Sequence, residues 1–177
     1  NGCYGFDRGI NLANLLNEIC KLDGKFFVRV GMMNPLHIKK FLDELIDAYQ
    51  NEKIFKFIHI PLQSGSNKIL KLMRRGYKTM DFVKIVKKFR KNFPMITIST
   101  DIIVGFPNEN EKDFKSTVKI IEKLRPDIVN ITKFGARPGT DAAKMEQLDR
   151  KIVNKRSSFL SELVRKISFE NKNLGEF

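Results

Sequence analysis

Four short segments of this chain alternate side chains at a period of two, and the polar members of one face are the groups that could do chemistry. Phe27, Arg29, Gly31 and Met33 share a face in the first; Phe57, His59, Pro61 and Gln63 in the second; Thr97, Ser99, Asp101 and Ile103 in the third; Ile128, Asn130, Thr132 and Phe134 in the fourth. The opposite faces carry mainly Val, Ile and Leu. A guanidinium and a carboxylate buried without partners would be costly, so Arg29 and Asp101 either pair with one another or meet a ligand. An internal ion pair would explain any one of these positions; a polar ligand cavity is the better explanation of all of them together. The segments also end alike, in Gln63-Ser64-Gly65-Ser66, Gly105-Phe106-Pro107 and Arg137-Pro138-Gly139-Thr140. Small residues at such exits let backbone N–H groups approach a ligand closely.

These segments need elements to hold them. Residues 26–33, 55–62, 96–104 and 127–134 read as strands, and helical spacing fills the gaps. A helix over 11–22 has Asn11 as N-cap and an apolar stripe of Leu12, Leu15, Leu16, Ile19 and Leu22. Asn34-Pro35 opens another that carries Ile38, Phe41, Leu42, Leu45, Ile46 and Tyr49. A short helix with Ile69, Leu70 and Met73 is ended by Gly76; helices with Phe82, Ile85, Val86 and Phe89, and with Phe114, Val118 and Ile121, follow. A long one over 147–171 uses Ile152, Leu160, Leu163, Val164 and Ile167. Strand–helix alternation with strands apolar on both faces predicts parallel pairing through right-handed crossovers. The expected fold is α/β: a partial TIM-like barrel whose four strands are parallel neighbours in an open arc, with Arg29, His59, Gln63, Asp101 and Asn130 converging inside. An open doubly wound sheet fits the pattern too, although no Gly-x-Gly-x-x-Gly follows any strand.

Composition narrows the classes. With 177 residues, 42% hydrophobic, and 15 Phe, the chain has material for one core. No apolar run reaches membrane-spanning length. The start Asn1-Gly2-Cys3-Tyr4-Gly5 has no initiator Met and no signal pattern, which predicts a cytoplasmic protein with sequence upstream. Cys3 and Cys20 have neither disulfide-framework nor metal-site spacing, and Cys20 reads as core. A net charge of +13 makes polyanions, RNA above all, plausible partners, though solvated lysine-rich helix faces would give the same total. From Lys68 to Lys91 there are ten Lys or Arg and one acid, Asp81. Lys84, Lys87, Lys88 and Lys91 recur on one side of a helix there, as a phosphate track would, or simply a solvated face.

The strand exits and their neighbours carry a resemblance. Met32-Met33-Asn34-Pro35, His59-Ile60-Pro61-Leu62-Gln63-Ser64-Gly65-Ser66, Met73-Arg74-Arg75-Gly76-Tyr77, Thr100-Asp101-Ile102-Ile103-Val104-Gly105-Phe106-Pro107 and Arg137-Pro138-Gly139-Thr140 occur in the order found in radical-SAM methylthiotransferases. Gly2-Cys3-Tyr4-Gly5 and Lys133-Phe134-Gly135-Ala136-Arg137 look most like the branch acting on threonylcarbamoyl-adenosine beside the tRNA anticodon. The resemblance implies S-adenosylmethionine as cofactor, a [4Fe–4S] cluster held by Cys-x3-Cys-x2-Cys, a second cluster as sulfur source, and methylthio insertion at an adenine carbon.

It also implies roles. Gln63 and Ser64 match the turn that meets S-adenosylmethionine, although Ser64 or Ser66 could equally cap a helix. Asp101 and Ile103 match the strand beside the adenosyl moiety, with simple core packing an alternative for Ile103. Arg75 matches an Arg-x-Tyr element and is assigned to a carboxylate or phosphate. Tyr4 and Asp7 match the first substrate-facing loop; Arg137 would contact the substrate backbone; Arg29, His59 and Asn130 line the substrate side. Glu109 is expected to stabilise the N-terminus of the next helix. The cysteine triplet and cluster domain are missing, so residues 1–171 are read as a barrel section and 172–177 as a linker toward a small RNA-binding domain. Asn108 stands where the family has Gly, and an Asn tolerates the left-handed conformation that position needs. Two other readings stay open: a β/α-barrel lyase or aldolase on a small phosphorylated substrate, with Lys133 or His59 reactive, and a non-catalytic basic RNA-binding domain.

Overall fold

Helix starts follow local chemistry. Asn11 accepts hydrogen bonds from the N–H groups of Ala13 and Asn14, and Asn14 returns one to the Asn11 N–H, so α1 (Leu12–Lys21) opens on a reciprocal cap. Asn34 accepts from the Leu36 N–H with Pro35 in the first turn of α2 (Pro35–Ile38). In the computed structural model, which describes residues 2–174, the remaining α-helices and strands are α3 (Leu42–Ala48), β1 (Phe57–His59), α4 (Asn67–Leu72), α5 (Thr79–Asn92), β2 (Thr97–Val104), α6 (Glu111–Leu124), β3 (Ile128–Lys133) and α7 (Arg150–Leu174), with short 3-10 turns at Phe6–Arg8 and Asp141–Lys144. The sheet has the order β1-β2-β3 and is parallel, with Phe57 opposite Thr97 and His59 opposite Ser99; it is not closed.

The chain forms two compact units: Asn1–Pro61 with Met80–Ser99, and Leu62–Thr79 with Thr100–Phe177. In the first, α1 packs on α3, and Tyr49, Phe89 and Phe93 form an aromatic cluster that buries Tyr49 and Phe89 completely. In the second, α7 packs on β3 and α6, with Leu160 and Ile121 fully buried.

Five expectations change. Residues 26–33 do not form a strand: they make one isolated parallel bridge, Val28 to Ile54, and the Met33 N–H donates to the His59 carbonyl. Phe27 is 68% exposed, so this segment lacks the ladder and the two-sided burial that a central strand needs. The helix expected from Pro35 to Tyr49 breaks between α2 and α3, where Phe41 leaves helical geometry (φ −134°, ψ 36°) and becomes buried. On α7 the buried stripe runs through Val153 rather than Ile152, which is 45% exposed. α7 also continues to Leu174 into the expected linker, of which residues 175–177, like Asn1, lie outside the described residues. Cys20 is half-buried rather than core, and Cys3 is exposed.

Candidate functional site

The exit of the second predicted strand is held by backbone pairing in the second unit. Gln63 donates its N–H to the Asp101 carbonyl (2.8 Å) and accepts the Ile103 N–H (2.9 Å), so it continues the parallel pairing with β2. Its φ is +63°, a conformation that is uncommon for a residue with a Cβ. Gln63 is 7% exposed, and its Oε1 is buried without a hydrogen-bond partner. An unsatisfied buried amide oxygen on strained backbone is what a ligand-meeting turn looks like before the ligand is considered.

The residues after it explain the turn. Ser64 is fully buried and its hydroxyl accepts the Ser66 N–H. The Gly65 N–H donates to Thr117 Oγ1 at 2.8 Å, and a Cβ on Gly65 would lie 2.4 Å from the Thr117 Cα. Gly65 is therefore required because the turn rests directly on the backbone of α6. Ser66, not Ser64, caps α4, and its hydroxyl also donates to Asp113.

Arg75 sits half-buried in the same unit with a buried Nε that has no partner. Tyr77 is buried and donates to the Leu62 carbonyl at 3.3 Å. Burial holds its hydroxyl well above the usual tyrosine range; Arg75 pulls that back a little and Asp101 adds to it, so Arg75, Tyr77 and Asp101 share one electrostatic neighbourhood. Asp101 accepts a hydrogen bond from Asn130 Nδ2 at 2.9 Å. On β3, Ile128, Asn130 and Thr132 are exposed while Val129 and Ile131 are half-buried, which is the expected alternation. Ile103 and Arg137 line one cavity of about 530 Å³ with Thr132, Lys133, Phe134 and Thr140. The second unit thus holds all five residues assigned to the cofactor and two of those assigned to substrate.

The other candidates lie in the first unit. Arg29 is exposed and stacks over the Phe57 ring at 4.1 Å, so it pays no burial cost and needs no acid partner. His59 is half-buried on β1. Tyr4 and Asp7 border a shallow hollow of about 320 Å³ with Gly5, Arg8 and Ile10. Lys84, Lys87 and Lys91 are exposed on α5, whereas Lys88 is tied to Asp43 and is half-buried.

Two features escape sequence reasoning. Glu109 does not serve the start of α6; Asn110 caps it, with Asp113 reciprocating. Glu109 is instead buried, accepting the Gly105 N–H (2.9 Å) and Arg156 Nη1 (2.9 Å). Burial is the largest influence on Glu109 and pushes its carboxyl above the usual range, with the Gly105 N–H and Arg156 pulling against it. Arg156 lies between Val153 and Leu160 on the buried stripe of α7, and that position was the available signal. Lys133, offered as a reactive group by the lyase reading, donates to Asn154 at 2.8 Å.

Comparison with known proteins gives the family and the fold. Residues 9–121 match the radical SAM superfamily model. The chain is 56% identical, over 96% of its length, to a probable threonylcarbamoyladenosine tRNA methylthiotransferase of Pyrococcus abyssi, and covers 40% of that protein. It is 38% identical over 99% of its length to the human threonylcarbamoyladenosine tRNA methylthiotransferase, covering 30% of it. A tRNA-2-methylthio-N(6)-dimethylallyladenosine synthase of Fusobacterium nucleatum is 41% identical over 94% of the chain and is covered over 38%. The chain therefore spans well under half the length of these curated relatives. In three dimensions it is similar to coproporphyrinogen III oxidase of Escherichia coli, described as a radical SAM enzyme, with a TM-score of 0.67 at 17% identity over 94% of this chain and 37% of that one.

Proposed function

We propose that this chain, which belongs to the radical SAM superfamily, is the central part of a tRNA methylthiotransferase that inserts a methylthio group at an adenine carbon of threonylcarbamoyl-adenosine. The observation that carries this reading is identity of 56% spread along 96% of the chain with a protein described by that activity. The lyase and the purely RNA-binding alternatives have no comparable support. In this reading residues 1–171 are barrel and 172–177 lead toward an RNA-binding domain, and the whole protein works in the cytoplasm; no described helix is long and apolar enough to cross a membrane.

Family membership implies S-adenosylmethionine and [4Fe–4S] clusters. The described residues fit the first. Gln63 Oε1 and Arg75 Nε are buried polar atoms without partners, and a zwitterionic, hydrogen-bonding nucleoside offers groups for both. Gln63, Ser64 and Asp101 would hold it, Ile103 would pack its adenine, and Arg75 would meet a carboxylate or phosphate. S-adenosylmethionine supplies radical-forming and methyl-transfer chemistry when bound. The chain's own residues orient and shelter it: the turn is rigid because Gly65 rests on α6, and Asn130 fixes the Asp101 carboxylate. Arg137 would contact the substrate backbone at the β3 exit; Asn130, Tyr4, Asp7, Arg29 and His59 are likewise assigned to substrate in this reading. Lys84, Lys87, Lys88 and Lys91 would meet tRNA phosphates.

The described residues do not fit a cluster. No group of three or more metal-ligating side chains occurs among them, and Cys3 and Cys20 cannot supply three closely spaced thiolates. The reading is tested on the full-length protein by tRNA binding and single-turnover modification measured together. Replacing Arg75 or Arg137 with Ala is expected to lower the rate at saturating tRNA by at least tenfold while changing affinity less; equal loss of affinity with unchanged rate would remove both from the site.

A further inference from the structure

We propose that the cleft between α4 and the turn that follows it binds phosphates of the RNA backbone. The inference rests on the tRNA reading above and adds a contact that neither the lysine face of α5 nor the strand exits provide. The cleft lies wholly within the second unit, has a volume of about 630 Å³, and is lined by Lys68, Lys71, Arg74 and Lys78 together with Asn67, Gly76 and Tyr77. Four of its seven lining residues are cationic and none is acidic. A concavity of that composition is not what core packing produces, because like charges brought together around a cleft repel.

The backbone builds the cleft. α4 stops at Leu72, and the chain then turns twice through left-handed residues, Arg74 (φ +54°) and Gly76 (φ +71°). That reversal drops Tyr77 to the floor, 5% exposed, and leaves the charged side chains on the rim. Lys68 is fixed there by Asp113 Oδ2 and the Asn108 carbonyl, each at 2.9 Å. Lys71 follows one turn later on α4. Arg74 donates to Asp141 at 2.6 Å, but the two side chains are 81% and 61% exposed. An exposed pair of this kind contributes little to stability, and a guanidinium fork matches a phosphate as well as it matches a carboxylate. Asp141 therefore acts as a stand-in that a phosphate can displace.

A nucleic-acid backbone suits the cleft better than an acidic peptide does. The rim offers three ammonium groups and one guanidinium fork, and Tyr77 is its only apolar side chain, so an extended peptide would find no side-chain pockets. Compared with the exposed face of α5, the cleft gathers its cations in a concave site, where field is focused.

The test uses the full-length protein and unmodified tRNA, with binding measured over a series of KCl concentrations. In a Lys71→Glu, Lys78→Glu double variant, affinity is expected to fall at least tenfold at moderate salt. The slope of log K against log [KCl] should shrink by roughly 1–2, since each lost phosphate contact removes about 0.7–0.9. Asp141→Asn should bind tRNA at least as tightly as the parent, because it releases Arg74. Melting midpoints within a few degrees of the parent show that the folds are intact. If the parent binds tRNA and the double variant matches it in affinity and slope, the cleft is overturned while the tRNA reading stands. If the parent itself does not bind tRNA, the tRNA reading fails and takes the cleft with it. Loss of binding by Asp141→Asn would also overturn it.

Discussion

Gln63 concentrates the site's physical argument in one residue. A left-handed non-glycine backbone costs about 1–3 kcal/mol, and a buried amide oxygen without a partner adds to that, so the fold alone gains nothing from a Gln here. Replacing it with Gly removes the steric cost and the amide together. We expect Gln63→Gly to melt no lower than the parent yet bind S-adenosylmethionine at least tenfold more weakly, by calorimetry on the full-length protein. Parent-like cofactor affinity would contradict the assignment. The turn was legible in the sequence because its residues resemble a known family; its strain was not, since nothing in Gln63-Ser64-Gly65-Ser66 announces a positive φ on the Gln. Asn108 was legible for the opposite reason: Asn is the non-glycine residue most at ease there, and its φ is +65°.

At the scale of elements, two buried networks hold the loops that carry the site. Arg156 and Glu109 have side chains only 8% and 2% exposed, and they tie the turn after β2 to α7. Removing one partner strands the other charge, so Arg156→Met should lower the urea unfolding free energy by about 3–5 kcal/mol. Adding Glu109→Gln should recover part of that loss; additive losses would show that the two residues do not act as a pair. Asp113 joins α4 to α6. Burial would raise its carboxyl, but hydrogen bonds from Ser66, Lys68 and the Asn110 N–H outweigh this and hold it below the usual aspartate value. A depressed carboxylate contributes stability that is fully present above its unfolded pKa and disappears as pH falls through the lower, folded one. Asp113→Asn should therefore cost about 1–2 kcal/mol at pH 6, and the difference from the parent should shrink as pH falls through the depressed folded pKa of Asp113. A pH-independent difference would assign the effect to packing. Sequence periodicity located the α-helices, missing the short 3-10 turns at Phe6–Arg8 and Asp141–Lys144, but could not see Phe41 break one, because the apolar spacing from Ile38 to Leu45 runs unbroken across the kink. It also read Phe26 to Met33 as a full strand, since β-propensity does not report whether a neighbour exists on each side.

For the whole molecule, the alternation of strand and helix was enough to read a parallel α/β sheet, and the structure has one. What the alternation could not fix was how many segments pair: three do, and the fourth makes a single bridge. Iron–sulfur chemistry belongs to this scale too. With only Cys3 and Cys20, the isolated chain should bind no stoichiometric, chelator-resistant [4Fe–4S] cluster after anaerobic reconstitution, by iron and sulfide analysis. The most direct test of the central reading is mass spectrometry of nucleosides from tRNA treated with the reconstituted full-length protein, S-adenosylmethionine and a reductant. We expect threonylcarbamoyl-adenosine to be converted to its methylthio derivative, and the product to disappear with Arg75→Ala although tRNA still binds. Unchanged threonylcarbamoyl-adenosine under conditions where the cofactor is cleaved would contradict it.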